Sequence, residues 1–251
     1  MAEGEAPARE AVLELLAPRP GERLLDLACG PGTLTFRVAE AAPDGEVVGV
    51  DLAPGMLEAG RRASARRGLR VRFELMDIEQ LDFADAEFDG AICGHGFQFC
   101  PDLSRALAEA RRVLRKGGRL AASVPADRGD SAAEFVLKRV ESSTLPPAPT
   151  AVDRDRTLAV VSDLELFKRA ALDAGFSEAR TSRLEELRTW PNATAMVDNI
   201  SSWWATASRL EQLDERGRER FKRRALEALT KEFGQRPIPV HGAAHLLYSV
   251  A

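Results

Sequence analysis

The residues of this chain best suited to chemistry gather in its first hundred positions. The run Leu24-Leu25-Asp26-Leu27-Ala28-Cys29-Gly30-Pro31-Gly32-Thr33-Leu34-Thr35 sets glycines between an apolar segment and a helical pattern. Glycine there lets the backbone turn tightly and approach a ligand, while the first N–H groups of the helix face whatever the loop encloses. The third glycine of the dinucleotide fingerprint is missing, because Gly30-Pro31-Gly32 is followed by Thr33-Leu34-Thr35. Asp26 adds a carboxylate just ahead of the loop. Beside a pyrophosphate it would repel, and beside an ammonium it would attract; the plainer reading is a carboxylate that caps the loop N–H groups. Asp51 lies about twenty residues beyond the loop, at the end of a second apolar segment, where a carboxylate can accept both hydroxyls of a ribose. That supports an adenosine ligand without choosing among the compounds that carry adenosine.

A second cluster, Cys93-Gly94-His95-Gly96-Phe97-Gln98-Phe99, follows a later strand. His95 is one of three histidines. An unperturbed imidazole has a pKa close to neutral, which suits a general base; the plainer reading is a histidine that contacts the cofactor or fills a wall of the site. Met56, Met76 and Phe97 read equally well as core. Trp203 and Trp204 either cap an apolar pocket or pack within the protein. The three cysteines, Cys29, Cys93 and Cys100, form no CxxC pair and have no histidine at ligand spacing, so neither structural zinc nor a disulfide framework is expected.

The elements that must position these residues alternate. Apolar strands are expected at 23–27, 46–50, 70–75, 88–93 and 119–124, separated by helical patterns at 10–17, 33–41, 54–67 and 102–115. Pro54 suits a first helical position, Gly68 stops its helix, and Lys116-Gly117-Gly118 ends the helix that begins at 102. Strands alternating with helices specify a parallel sheet joined by right-handed crossovers. Beyond Pro125 the rhythm changes: helical patterns at 132–141, 163–174 and 191–233, a proline-rich connector at 145–150, and strands at 178–190 and 241–250, with Tyr248 in the last. Residues 1–125 read as a ligand-binding core and 126–251 as the remainder of the same domain, its helical segments choosing the substrate.

Asp26 to Gly32, Val50-Asp51, Met76-Asp77-Ile78 with Leu81 and Phe83, Phe88-Asp89 and Leu114 to Gly118 occur in an order that resembles the class I S-adenosylmethionine-dependent methyltransferases. The closest likeness is to the branch similar to the ubiquinone and menaquinone biosynthesis enzymes, over about residues 10–125. The resemblance implies a Rossmann-like, doubly wound α/β fold with a mostly parallel seven-stranded sheet and helical lid insertions in the C-terminal half. It implies S-adenosylmethionine as cofactor, with Asp26, Ala28, Gly30 and Gly32 around its methionine part and Asp51 on the ribose. Leu52 and Met56 would line the adenine side, Asp77 and Ile78 would meet the adenine edge, and Cys93 would border the cofactor where the site opens to the transferred methyl. Ala28 stands where the family often has glycine, a harmless change unless that residue needs a positive φ.

The expected activity is methyl transfer to an oxygen or carbon of a small molecule, with His95 as candidate base and no metal. GHGFQF replaces the NPPY-like signature of amino-group methylation. Two rivals remain. A nicotinamide-dependent oxidoreductase shares the loop and Asp51 but lacks a Tyr-x-x-x-Lys pair, and a non-catalytic cofactor-binding regulatory module keeps the acidic positions. A net charge of −4 with scattered Arg and Lys speaks against a nucleic-acid partner. The one basic stretch, 216–224, contains Glu219 and reads as a solvated helix face. No apolar run approaches the roughly 20 residues of a membrane span, and a cytoplasmic enzyme is expected.

Overall fold

The computed structural model describes residues 7–126, 131–147, 155–201 and 204–251. The expected alternation is present: α1 Pro7–Leu16, β1 Arg23–Leu27, α2 Thr33–Ala41, β2 Glu46–Asp51, α3 Pro54–Arg67, β3 Val71–Leu75, β4 Phe88–Gly94, α4 Leu103–Val113 and β5 Leu114–Pro125. Then come α5 Ala132–Thr144, α6 Asp155–Val161, α7 Leu164–Asp173, β6 Glu178–Trp190, α8 Ala193–Ser201, α9 Trp204–Leu210, α10 Glu215–Phe233 and β7 Ile238–Val250. The reading of Trp203, of the side chain of Trp204 and of the connector beyond Pro147 lies outside the described residues.

The described strands form a seven-stranded sheet ordered β3-β2-β1-β4-β5-β7-β6. β1 pairs in parallel with β2 and β4, β2 with β3 and β4 with β5, while β7 runs antiparallel to β5. Strands covered on both faces read as continuous apolar runs. Accordingly Leu24, Leu25, Leu27, Val48, Val50, Ala91, Ile92, Leu120 and Ala122 are buried. The strand order reverses between β1 and β4, and the carboxyl ends of strands at such a switch point frame a ligand crevice.

Two features hold this frame together. The guanidinium of Arg119 on β5 pairs with Glu22 at 2.7 Å and donates from Nε to the carbonyl of Leu16 at 2.9 Å, fixing α1 and the start of β1 to the sheet. Helix caps follow the sequence chemistry: Asp102, Ser131, Asp163 and Asp214 each accept from a backbone N–H in the first turn of α4, α5, α7 and α10. α2 differs, since it starts at Gly32 with no side-chain cap.

One boundary differs from expectation. α4 ends at Val113, and Leu114 already pairs with Phe88, so residues 114–118 open β5 instead of terminating the helix. Gly117, at φ +79°, donates to the carbonyl of Ala251, and Ala251 donates back to Gly118. Ala251 thus fixes the Lys-Gly-Gly segment as strand edge.

By compactness the described residues divide into two units. Residues 7–126, 155–184 and 244–251 make up one, with a core around Leu25, Val48, Phe88, Leu107 and Leu120. Residues 131–147 and 185–243 make up the other, with a core of Leu137, Met196, Ile200, Phe221 and Leu229. The basic stretch lies in the second unit on α10, where Gly217 and Phe221 face inward and Arg216, Arg218, Arg220, Lys222, Arg223 and Arg224 are exposed. No helix among the described residues is long and apolar enough to cross a membrane.

Candidate active site

The first unit brings the glycine loop, the end of β2 and the segment after β4 to one edge of the sheet. Backbone conformation sets the loop. Ala28, Gly30 and Gly32 all have positive φ, at +55°, +56° and +87°. A Cβ on Gly32 would come within 2.7 Å of the Phe73 ring, so glycine is required there by space as well as by φ. A Cβ on Gly30 would meet nothing within 4 Å, which leaves the approach to its backbone open. Gly96 is pressed onto the same loop, since a Cβ there would sit 2.7 Å from the Cβ of Ala28 and 2.6 Å from Cys93 Sγ. The segment carrying His95 therefore lies against the glycine loop.

Asp51 ties the loops together. Its Oδ2 accepts from the N–H of Gly30 and its Oδ1 from the N–H of Ala53, each at 2.8 Å. The capping role weighed for Asp26 in the sequence thus belongs to Asp51. Each oxygen keeps acceptor capacity, because an ionised carboxylate offers about four lone-pair sites.

Asp26 is buried, with 1% of its surface exposed, and its Oδ2 accepts from Thr35 Oγ1 at 2.6 Å. Burial pushes its carboxyl up to about 7, against the hydrogen bond from Thr35, which lowers it; the nearby Asp51 charge raises it and Arg9 lowers it. A buried carboxyl poised at neutrality is a feature of functional sites more than of structural ones.

The remaining expected residues divide. Leu52 and Met56 are exposed, at 65% and 43%. Leu75 and Phe99, at the end of β3 and in the short 3-10 turn Phe97–Phe99 after β4, are exposed as well. Asp77 is exposed and accepts from the N–H of Glu79 at 2.9 Å. Ile78 and Cys93 instead pack into the core, so only their backbone can face a ligand. Burial also holds the Cys93 thiol neutral, well above its ordinary value. His95 stands at φ +58°; its N–H donates to the carbonyl of Ser123, and its Nδ1 lies 3.2 Å from Ser123 Oγ. No cluster of three or more His, Cys, Asp or Glu among the described residues could hold a metal ion.

Four supporting groups had no signal in the sequence. Thr35 reads as an ordinary first-turn residue of α2, and Ser123 as part of a buried strand. Arg112 on α4 donates to the carbonyls of Leu81 and Phe83 at 2.8 and 2.7 Å, while Glu109 accepts from the N–H of Leu81, fixing the segment that follows Asp77. Paired arginines near a helix end gave no hint of this.

The positive φ of Ala28 makes its departure from glycine costly, by about 1–2 kcal/mol for a side chain in the left-handed region. Ala28→Gly recovers this strain but loses about 0.4–1 kcal/mol through a more flexible unfolded chain. Chemical denaturation should therefore find Ala28→Gly more stable by roughly 0.5–1 kcal/mol; a loss of stability would show that Ala28 is unstrained.

Comparison with known proteins agrees with this geometry. A family model described as a methyltransferase domain matches residues 24–118. The demethylmenaquinone methyltransferase of Thermus thermophilus is 44% identical over 112 residues, 45% of this chain and 51% of that protein. The ubiquinone/menaquinone biosynthesis C-methyltransferase of Dinoroseobacter shibae is 32% identical over 186 residues, 70% of this chain and 74% of that protein. In the first of these the match spans about half the relative's length. The crystal structure of the YcgJ protein from Bacillus subtilis superposes with a TM-score of 0.64 at 17% identity over 98% of each chain, which shows the shared fold. The chain belongs to the ubiquinone and menaquinone biosynthesis methyltransferases, a branch of the class I S-adenosylmethionine-dependent methyltransferases.

Proposed function

We propose that this protein transfers the methyl group of S-adenosylmethionine to a carbon or oxygen of a small aromatic acceptor of quinone type. The observation that supports this best is the joint arrangement of Asp51 and the glycine loop. One carboxylate stands beside a backbone with open approach at Gly30, next to the exposed apolar side chains Leu52 and Met56. A ribose fits Asp51, an adenine ring fits Leu52 and Met56 with Asp77 and the Ile78 backbone at its edge, and an amino-acid moiety fits the loop 28–32. Cys93 supports this wall from the core. The quinone class comes from what the two relatives are named for, and a carbon acceptor from the name of the second.

S-adenosylmethionine supplies an activated methyl on a sulfonium, so the protein's main task is alignment and exclusion of water, which can supply on the order of 7–11 kcal/mol of barrier lowering. A reduced quinone ring is nucleophilic at carbon. As its carbon–methyl bond forms and the sulfur–methyl bond breaks, a proton must leave the acceptor. We assign that proton to His95 Nε2, with Nδ1 oriented by Ser123. A smaller acceptor with an ionised oxygen would need no base.

Calorimetric titration tests the cofactor. S-adenosylmethionine and S-adenosylhomocysteine should bind, NAD should not, and Asp51→Ala should weaken binding by about 2 kcal/mol or more, since it removes two hydrogen bonds to a charged group. Binding of NAD alone would instead favour an oxidoreductase. For the base, His95→Gln should leave affinity for S-adenosylhomocysteine unchanged and lower the rate of methyl transfer by about 10²-fold or more. An unchanged rate would remove His95 from the chemistry.

A further inference from the structure

The second unit carries a groove that shares no residue with the crevice described above. It runs between α5 and α10 and has a volume of about 900 Å³. Phe135, Val136 and Ala228 line its apolar part, and Phe135 keeps 64% of its surface exposed. Beside them stand Lys138 and Arg139 from α5 and Arg224 and Lys231 from α10. Two carboxylates, Glu227 and Glu232, share the lining, so the four cations are only partly balanced. None of the four makes a hydrogen bond or ion pair among the described residues.

Along α10 the same face continues. Arg216, Arg220 and Arg224 recur every four residues, so like charges are neighbours on the helix surface, a spacing that works against the helix carrying it. From Arg216 to Lys231 the row spans about 22 Å, at about 1.5 Å per residue. One small anion cannot meet such a row, whereas an extended anionic surface can. The chain as a whole carries −4, so attraction to anions has to come from a local face of this kind. The apolar side chains narrow the choice further. A purely polar polyanion would engage the cations and leave Phe135 in water. A phospholipid surface uses both, since headgroup phosphates meet Lys and Arg while an aromatic ring enters the boundary between headgroups and acyl chains.

We propose that this face docks the protein on a membrane surface rich in anionic phospholipid. One headgroup phosphate sits in the groove between the cations of α5 and α10, Phe135 inserts beside it, and Arg216 and Arg220 meet neighbouring headgroups. The contact is peripheral and needs no membrane-spanning helix. It does not rest on the methyl-transfer reading, because none of its residues belongs to the crevice.

Co-sedimentation of the full chain with vesicles tests this. Vesicles of phosphatidylcholine containing about one-third phosphatidylglycerol should carry the protein down, and vesicles of phosphatidylcholine alone should not. Raising the salt from about 0.1 M to about 0.5 M should release it. Lys138→Gln combined with Arg224→Gln should weaken binding about 25-fold, at about fivefold for each charge near the surface. Phe135→Ser should weaken it about tenfold and leave the salt dependence unchanged. All three side chains are exposed, and an unaltered thermal unfolding curve shows that the variants fold. Inorganic phosphate at matched ionic strength should not displace the protein from the vesicles. A wild-type protein that ignores the anionic vesicles, or binds both kinds alike, would overturn the proposal. So would a folded variant of either kind bound as tightly as the wild type. Displacement by inorganic phosphate would make the groove a site for the free anion, and tighter binding of polyglutamate or duplex DNA than of vesicles would make the face a site for a soluble polyanion; either result overturns membrane docking.

Discussion

The carboxylate of Asp51 joins two loops that would otherwise be independent. One oxygen holds the N–H of Gly30, inside the turn after β1, and the other holds the N–H of Ala53, just ahead of α3. Without it the left-handed turn at 28–32 would have an unsatisfied N–H at its centre, and the entry to α3 would lose its side-chain hydrogen bond at Ala53, which provides no cap of its own. The crevice at the switch point owes its shape to this one group. A carboxylate is needed because it can accept from both loops and still accept from a ligand.

Several costly features gather around that group. Ala28 and His95 both adopt positive φ, a region costly for residues with a Cβ, and each sits in a loop at the carboxyl end of a central strand. Asp26 is a buried acid in a strand that is otherwise Leu-rich. Leu52 and Met56 are exposed, although the core has ample apolar partners. These features lie in one compact unit near one sheet edge, while positive φ at Ala17, Asp44 and Ala86 and exposed apolar side chains such as Phe135 and Leu187 occur elsewhere among the described residues.

Much of this was legible from residue types. The apolar runs at β1, β2 and β4 have no polar alternation, so a parallel sheet followed, and Gly68 and Asp102 marked helix ends because their chemistry is local. Asp51 was legible as a position, yet its bond to Gly30 was not, because it spans 21 residues. Thr35 meets Asp26 across 9 residues, Ser123 meets His95 across 28, and Arg112 reaches Leu81 across 31. No periodicity encodes such contacts. The end of α4 was misread for a related reason: Lys-Gly-Gly looks like a helix stop, whereas its place is set by pairing with the distant Ala251. Ile78 and Cys93 were legible only by motif position, which does not say that their side chains face the core.

We propose that the crevice between the glycine loop and Asp51 receives S-adenosylmethionine. Hydrogen exchange measured by mass spectrometry, with and without saturating S-adenosylhomocysteine, addresses it without needing the acceptor. Exchange should slow in the peptides covering residues 28–35 and 51–57, with NAD producing no change. Slowing absent from both segments, or confined to 215–233, would show that the ligand does not seat in this crevice.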